Sequence, residues 1–244
     1  MNAPPAAALP RVGFAPQVRA DLVAGVFRAS GRVHIGGVLA DEAALRLYQC
    51  LTREVPWQEV TGDARGHHEL PASGDPESAQ ARDALLSGAE REAGYGFAYR
   101  YRNFPMLDHY EAGRHRELYV MRLLEFLNSG PFIDFARLAT GCSRISFADA
   151  QATLYGPGDF LTCHDDAVAG KQRHAAYVLS LTPEWRADWG GLLAFPDQGG
   201  HLHEAFCPSF NALNLLRVPT PHLVTQVSSF ARAGRYSITG WLRG

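Results

Sequence analysis

Three residues of this chain, His164, Asp166 and His222, have the types and order needed to hold a transition-metal ion. The first two close the stretch Leu154-Tyr155-Gly156-Pro157-Gly158-Asp159-Phe160-Leu161-Thr162-Cys163-His164-Asp165-Asp166. In an extended segment successive side chains alternate between faces, so His164 and Asp166 are expected to share a face while Cys163 and Asp165 point away. Two imidazoles and one carboxylate hold Fe(II) through one face of its coordination sphere and leave positions open for small molecules, which a fully ligated structural site does not. The third donor must come from a distant segment. His222, in Pro219-Thr220-Pro221-His222-Leu223-Val224 at the start of what reads as another strand, is the candidate. A His-x-Asp triplet alone recurs by chance in surface loops, so its surroundings have to carry the argument.

Those surroundings include Gly234-Arg235-Tyr236-Ser237-Ile238-Thr239-Gly240-Trp241-Leu242. Its alternation puts Arg235, Ser237 and Thr239 on one face and Tyr236, Ile238 and Leu242 on the other. A guanidinium pointing into a barrel is costly unless an anion meets it, and its planar fork suits a carboxylate gripped by two parallel hydrogen bonds. The plain alternative is a strand arginine facing solvent.

In these motifs the chain resembles the prolyl-hydroxylase branch of the Fe(II)- and 2-oxoglutarate-dependent oxygenases, which includes the oxygen-sensing and ribosomal-protein prolyl hydroxylases. The likeness covers residues 145–241. Its pieces are the Tyr155 strand, His164-x-Asp166, the strand beginning at Arg173, the turn and strand Trp189-Gly190-Gly191-Leu192-Leu193, Pro221-His222, and Arg235-Tyr236-Ser237-Ile238-Thr239-Gly240-Trp241. The resemblance implies that His164, Asp166 and His222 are the catalytic iron ligands and that Tyr155, Arg235 and Ser237 hold the distal carboxylate of 2-oxoglutarate. The plain alternative for Tyr155 is a half-buried strand tyrosine. Ser180 stands near the position where relatives carry a second co-substrate tyrosine, and neither it nor Tyr177 joins the expected site.

The same resemblance implies hydroxylation of a C–H bond, in a prolyl residue of a protein or peptide, with O2 consumed and succinate and CO2 released. Ascorbate is left open as an additional cofactor. Related halogenases keep a small residue at the carboxylate position, so Asp166 sets the expectation to hydroxylation. A free amino acid or small metabolite is the alternative substrate. A non-catalytic or zinc-binding jelly-roll protein is the alternative of another class, although it has no need of an inward Arg235 and Ser237.

To position these side chains the chain needs distant strands brought together. From residue 145 onward short strands alternate with Gly/Pro turns, which points to an α+β protein with a double-stranded β-helix (jelly-roll) core over about residues 145–243 and N-terminal supporting helices. The expectation is a single catalytic domain over residues 19–244. Residues 1–18, rich in Pro and Ala, are expected to form a disordered tail. A strand at residues 32–35 precedes a helix that Asp41 starts, and apolar spacing predicts helices over 114–128 and 132–139. Residues 62–77, rich in Gly, Pro, Asp and Ser, read as a loop, either a lid or a solvated connection, with His67 and His68 in solvent. His201 and His203 follow Asp197-Gln198-Gly199-Gly200 and read as a polar hairpin turn without a carboxylate to complete a metal set. The aromatic and basic run Tyr95-Gly96-Phe97-Ala98-Tyr99-Arg100-Tyr101-Arg102 is read either as the wall of a peptide groove or as core packing.

Composition agrees with one sizeable core: 244 residues, 46% of them hydrophobic. Basic and acidic residues number 23 and 25, and no Lys/Arg run favours a nucleic-acid partner. Four scattered cysteines, Cys50, Cys142, Cys163 and Cys207, lack zinc spacing and read as reduced thiols. No apolar run suits a membrane span and the first residues lack a basic leader, so a cytoplasmic protein is expected.

Overall fold

The computed structural model describes residues 8–72 and 74–244. Its helices are α1 (Ala20–Ser30), α2 (Asp41–Arg53), α3 (Pro76–Ala93), α4 (Met106–Glu111), α5 (Val120–Leu127) and α6 (Gly130–Thr140). The strands of the first half are β1 (Arg32–Gly36), β2 (Gln58–Asp63), β3 (Gly66–Glu69) and β4 (Ala98–Phe104). Those of the second half are β5 (Phe147–Ala148), β6 (Gln151–Tyr155), β7 (Phe160–His164), β8 (Arg173–Ser180), β9 (Leu193–Pro196), β10 (Leu202–Phe206), β11 (Ala212–Arg217), β12 (His222–Val224) and β13 (Arg235–Arg243).

The strands pair antiparallel in the order β1-β11-β8-β13-β6-β4-β7-β12-β9-β10, with β2, β3 and β5 added at the side. One cavity is lined by residues of β4, β6, β7, β8, β9, β11, β12 and β13, so this long sheet wraps around a common interior. Such wrapping is the jelly-roll solution to unpaired edges, and it brings residues from opposite ends of the strand order face to face.

The outer face of the β8–β13 half is closed by helices. Alternation gives β13 two apolar clients: Ile238 and Leu242 are buried among Leu123, Leu127, Phe132 and Ala136 of α5 and α6. Arg235, Ser237 and Thr239 fall on the opposite, interior face. Both α1 and α6 end on glycines in the left-handed conformation, Gly31 and Gly141, the backbone shape that glycine adopts without steric cost. Asp75 caps α3 by accepting from the Ser78 amide, with Pro76 in the first turn.

Three expectations change. Residues 1–7 of the expected tail lie outside the described residues, but residues 8–18 pack: Val12 and Ala15 are buried, and Phe14 sits 5.1 Å from the Phe126 ring and 4.6 Å from Phe135. A Pro/Ala-rich stretch reads as a tail because it has no period, yet one aromatic side chain docking into α5 and α6 is enough to order it. The 62–77 loop is partly sheet: β2 and β3 form a hairpin turning at Ala64 and Arg65, with Thr61 opposite His68. The helix expected over 114–128 forms only as α5; residues 115–119 before it are turns, with His115 at a left-handed φ of 55°.

Candidate functional site

The site begins with register. On the rolled sheet β12 pairs with β7, and His222 lies directly opposite His164. Their ring centroids are 4.2 Å apart. Asp166 joins them from the turn after β7: its Oδ1 is 3.4 Å from His164 Nε2 and its Oδ2 is 3.4 Å from His222 Nε2. One donor atom from each residue lies within 4.8 Å of the other two, a spacing that a single ion at about 2 Å from each would satisfy.

Asp166 reaches this position differently from the simple alternation of an extended strand. β7 stops at His164, and Asp166 takes φ 64°, an uncommon backbone shape for a non-glycine residue. Two contacts hold the turn: Arg173 Nη1 donates to the Asp166 carbonyl at 3.0 Å, and Asp165 accepts from the Ala167 amide. Cys163 and Asp165 are exposed.

Each histidine is oriented by its other nitrogen. Nδ1 of His164 is 3.0 Å from the Thr162 carbonyl and Nδ1 of His222 is 2.8 Å from the Thr220 carbonyl. A carbonyl only accepts, so Nδ1 carries a proton on both rings and both Nε2 atoms are turned toward Asp166. Burial opposes charging of His222, and the neighbouring His164 adds to that, so its pKa is lowered. Burial also disfavours the Asp166 carboxylate, but the two histidines outweigh it and hold the pKa below the usual range. For His164, burial lowers the pKa but the Asp166 carboxylate outweighs it, so its pKa is raised. A divalent cation bound here would take the place of any proton on Nε2.

Arg235 and Tyr155 are cross-strand partners on β13 and β6. Arg235 is 2% exposed, with its guanidinium carbon 5.2 Å from the centre of the Tyr155 ring. Its Nη1 donates to Ser237 Oγ at 3.1 Å, and Ser237 Oγ is 2.9 Å from Thr153 Oγ1. Its Nε has no partner among the described residues, and only Tyr155 and Cys207 act to favour its charge. A buried guanidinium without a carboxylate is several kcal/mol out of balance, so this one is built for an anion from outside. Ser237, expected against that anion, is fully buried, and its hydroxyl ties Arg235 to Thr153. Tyr155 lines the cavity, and burial pushes its phenol pKa well up, so it stays a neutral hydrogen-bond donor.

The Gly190-Gly191 turn packs over this end. A Cβ on Gly190 would meet the Gln226 carbonyl oxygen at 2.0 Å, and one on Gly191 would meet Arg235 Cδ at 3.1 Å. Both residues have positive φ, 71° and 64°, which leaves glycine as the residue that fits.

Between the His164–Asp166–His222 cluster and Arg235 lies one cavity of about 480 Å³, within the range for a small molecule. Its aromatic wall is the run that sequence left open between groove and core: Phe97, Tyr99 and Tyr101 point inward, each ring 5–6 Å from the next, with Phe97 5.7 Å from His164 and Tyr101 5.0 Å from Tyr155. The alternate residues Arg100 and Arg102 point outward to Asp159 and Glu59. Sequence reading missed Gln151, Thr153, Arg173 and Trp241, all of which line the cavity. Arg173 stacks 3.4 Å from the centre of the Trp241 ring. Gln151 and Thr153 share the cavity face of β6 with Tyr155, so the i, i+2, i+4 spacing was a usable signal. Tyr177 spends its hydroxyl on the Asp149 carbonyl at 2.7 Å. The other histidines stay apart: His203 bonds Asp197 on an exposed hairpin, and His67 bonds Tyr99 from the outside.

Comparison with known proteins points the same way. Residues 150–243 match the family model described as the 2OG-Fe(II) oxygenase superfamily. The prolyl 3-hydroxylase OGFOD1 of Mus musculus is 35% identical over 115 residues, 42% of this chain and 21% of that protein, so the match spans about a fifth of the relative's length. Among solved structures, a Trichoplax adhaerens prolyl hydroxylase in complex with a hypoxia inducible factor peptide fragment superposes with a TM-score of 0.62 at 17% identity, covering 92% of this chain and 88% of that one. A Pseudomonas putida prolyl-4-hydroxylase superposes with a TM-score of 0.57 at 19% identity, covering 92% and 98%. At such identities the superpositions speak for the fold, while the family match covers His164, Asp166, His222 and Arg235. The likeness to the 2OG-Fe(II) oxygenase superfamily thus lies in residues 150–243, the segment that holds His164, Asp166, His222 and Arg235.

Proposed function

We propose that this protein is an Fe(II)- and 2-oxoglutarate-dependent dioxygenase that hydroxylates a prolyl residue of a protein or peptide. The observation that carries the reading is the pairing, in one cavity, of a two-histidine, one-carboxylate cluster with a buried arginine that lacks an anion. A structural zinc site needs the first and has no use for the second.

His164, Asp166 and His222 would hold the iron, whose open positions the family fills with 2-oxoglutarate and O2. The bound group supplies the oxidising chemistry, oxygen insertion into a C–H bond coupled to loss of succinate and CO2. The remaining work belongs to this chain. Arg235, fixed by Ser237 and Thr153, would receive the distal carboxylate with help from the Tyr155 hydroxyl. Tyr101 and Tyr155 add apolar area at the cavity wall, and Tyr101, its phenol pKa raised by burial, stays neutral. Phe97 and Tyr99 would flank the substrate at the entrance beside His164, where flat aromatic faces suit a proline ring.

The prolyl assignment draws on the similar proteins, whose names give prolyl hydroxylation. Four free cysteines fit the reducing cytoplasm, and ascorbate is included as an accessory reductant. No helix among the described residues is long and apolar enough to cross a membrane.

Purified protein loaded with Fe(II) and given 2-oxoglutarate, O2 and prolyl peptides should release succinate and add one oxygen atom to peptide, read by mass spectrometry. Oxygen addition to a free amino acid but to no peptide would remove the peptide assignment. An absence of oxygen-dependent succinate would remove the dioxygenase reading.

A further inference from the structure

Three cross-strand pairs line the interior faces of β6 and β13: Tyr155 with Arg235, Thr153 with Ser237, and Gln151 with Thr239. The first two pairs form the Arg235 end already described. Gln151 and Thr239 also face the cavity, and no activity has yet been given to them. A carboxamide and a hydroxyl opposite each other on an interior face are unusual, because an apolar pair would pack there without any polar group to satisfy.

Their height on the strands is informative. Arg235 does not point straight across; its guanidinium reaches along β13 to the Ser237 hydroxyl, one i to i+2 step toward Thr239. The next step along the strand, roughly 7 Å, ends at the Gln151–Thr239 pair. A five-carbon dicarboxylate has about the length of that step. Beyond Thr239 on the same face comes Trp241, which Arg173 stacks against while donating to the Asp166 carbonyl. Along the interior face of β13 the pair therefore lies past Ser237 from Arg235, on the side of Trp241 and the Arg173 that holds the Asp166 turn.

We propose that Gln151 and Thr239 are a second polar clamp of the cavity, donating hydrogen bonds to the 2-oxo-acid end of 2-oxoglutarate while Arg235 holds the other end. The proposal rests on the oxygenase reading and extends it: the β6–β13 ladder becomes a ruler, with a cation at one end and neutral donors at the other. Neutral donors suit the end next to the metal, where a further cation would compete with iron for the same carboxylate. A ruler of this kind also disfavours four- and six-carbon 2-oxo diacids, since either one leaves a donor pair at one end unmet.

The test is anaerobic calorimetry on the Fe(II)-loaded protein, with the visible charge-transfer absorption of the bound keto acid as a second readout. Gln151→Leu keeps the volume and removes the donors. It should weaken 2-oxoglutarate binding by about tenfold or more and shift the absorption band, because the lost bond lies at the chelating end. Arg235→Ala should weaken binding without moving the band. Thr239→Val, which keeps the β-branched shape on the strand, should act in the direction of Gln151→Leu and gives the same reading if that variant does not fold. Wild-type affinity and band position in a folded Gln151→Leu or Thr239→Val protein would overturn the clamp and leave the oxygenase reading intact. Equal affinity for four-, five- and six-carbon 2-oxo diacids would overturn the ruler. Failure of wild-type protein to bind 2-oxoglutarate would remove the oxygenase reading and the clamp together.

Discussion

At the scale of single residues the most exacting feature is Arg235. It is buried, bound to one hydroxyl, and left with an Nε that nothing nearby satisfies. Replacing it with alanine should raise the KM for 2-oxoglutarate on the order of a hundredfold, as expected when charge-assisted hydrogen bonds are lost in a dry site, with a smaller change in kcat. Steady-state kinetics with 2-oxoglutarate as the varied substrate check this; an unchanged KM would remove the carboxylate role. Lysine in its place should recover only part of the loss, since an ammonium lacks the planar fork. The histidines illustrate a second residue-scale rule. Each donates its Nδ1 proton to a carbonyl two residues earlier in the chain, so the local backbone, through Thr162 and Thr220, sets which nitrogen is left for a metal.

At the scale of elements, turns and hairpins decide whether those residues meet. Gly190→Ala should be destabilising by about 2 kcal/mol or more, because its Cβ would collide with the Gln226 carbonyl in a positive-φ turn that holds β9 and β12 in place. Urea unfolding measures the loss, and the variant should also bind 2-oxoglutarate more weakly, because the turn sits against Arg235. The β2–β3 hairpin carries a different prediction. Hydrogen bonds from Arg65 hold the Asp63 carboxyl down at about 2, against an ordinary 3.8. A depressed acid stabilises its contact above the unfolded value and loses it as pH falls through the folded one, so the turn should loosen between about pH 4 and pH 2. The Arg65 side chain that holds it is exposed, so the effect is local and should appear as a titration of the Asp63 carboxyl carbon in NMR, with a midpoint near 2. A midpoint at the ordinary value would show that the contact does not persist in solution.

At the scale of the molecule the cavity lies where eight strands of the rolled sheet contribute, so ligand binding there should stabilise the whole fold. A divalent ion bound only by the folded state, at a hundred times its Kd, adds about 2.7 kcal/mol, which for a chain of this size raises Tm by roughly 5–10 °C. Differential scanning fluorimetry with Mn(II) or Fe(II) measures the shift. His164→Ala should abolish it while leaving the metal-free Tm close to wild type; a metal-dependent shift that survives in this variant would place the ion elsewhere. The helices contribute to the same fold from outside: α5 and α6 cover the back of β13, so the strand bearing Arg235 is held from both faces.

Much of this was legible in the residues alone. His164, Asp166, His222 and Arg235 stand out because their types are costly inside a strand unless something is bound, and the period of two on β13 separates its polar face from Ile238 and Leu242 without any coordinates. The short strands and glycine turns after residue 145 announce a rolled sheet for the same local reason. Other features depended on contacts between residues far apart in the chain. The docking of Phe14 on α5 and α6 has no local signature, and the left-handed turn that brings Asp166 to the histidines is held by Arg173 from the next strand. Gln151 and Thr239 became a pair only through the β6–β13 register. Sequence period reports which face a side chain takes; which distant residue stands opposite it is settled by how the sheet closes, a long-range packing outcome that no short window of residues contains.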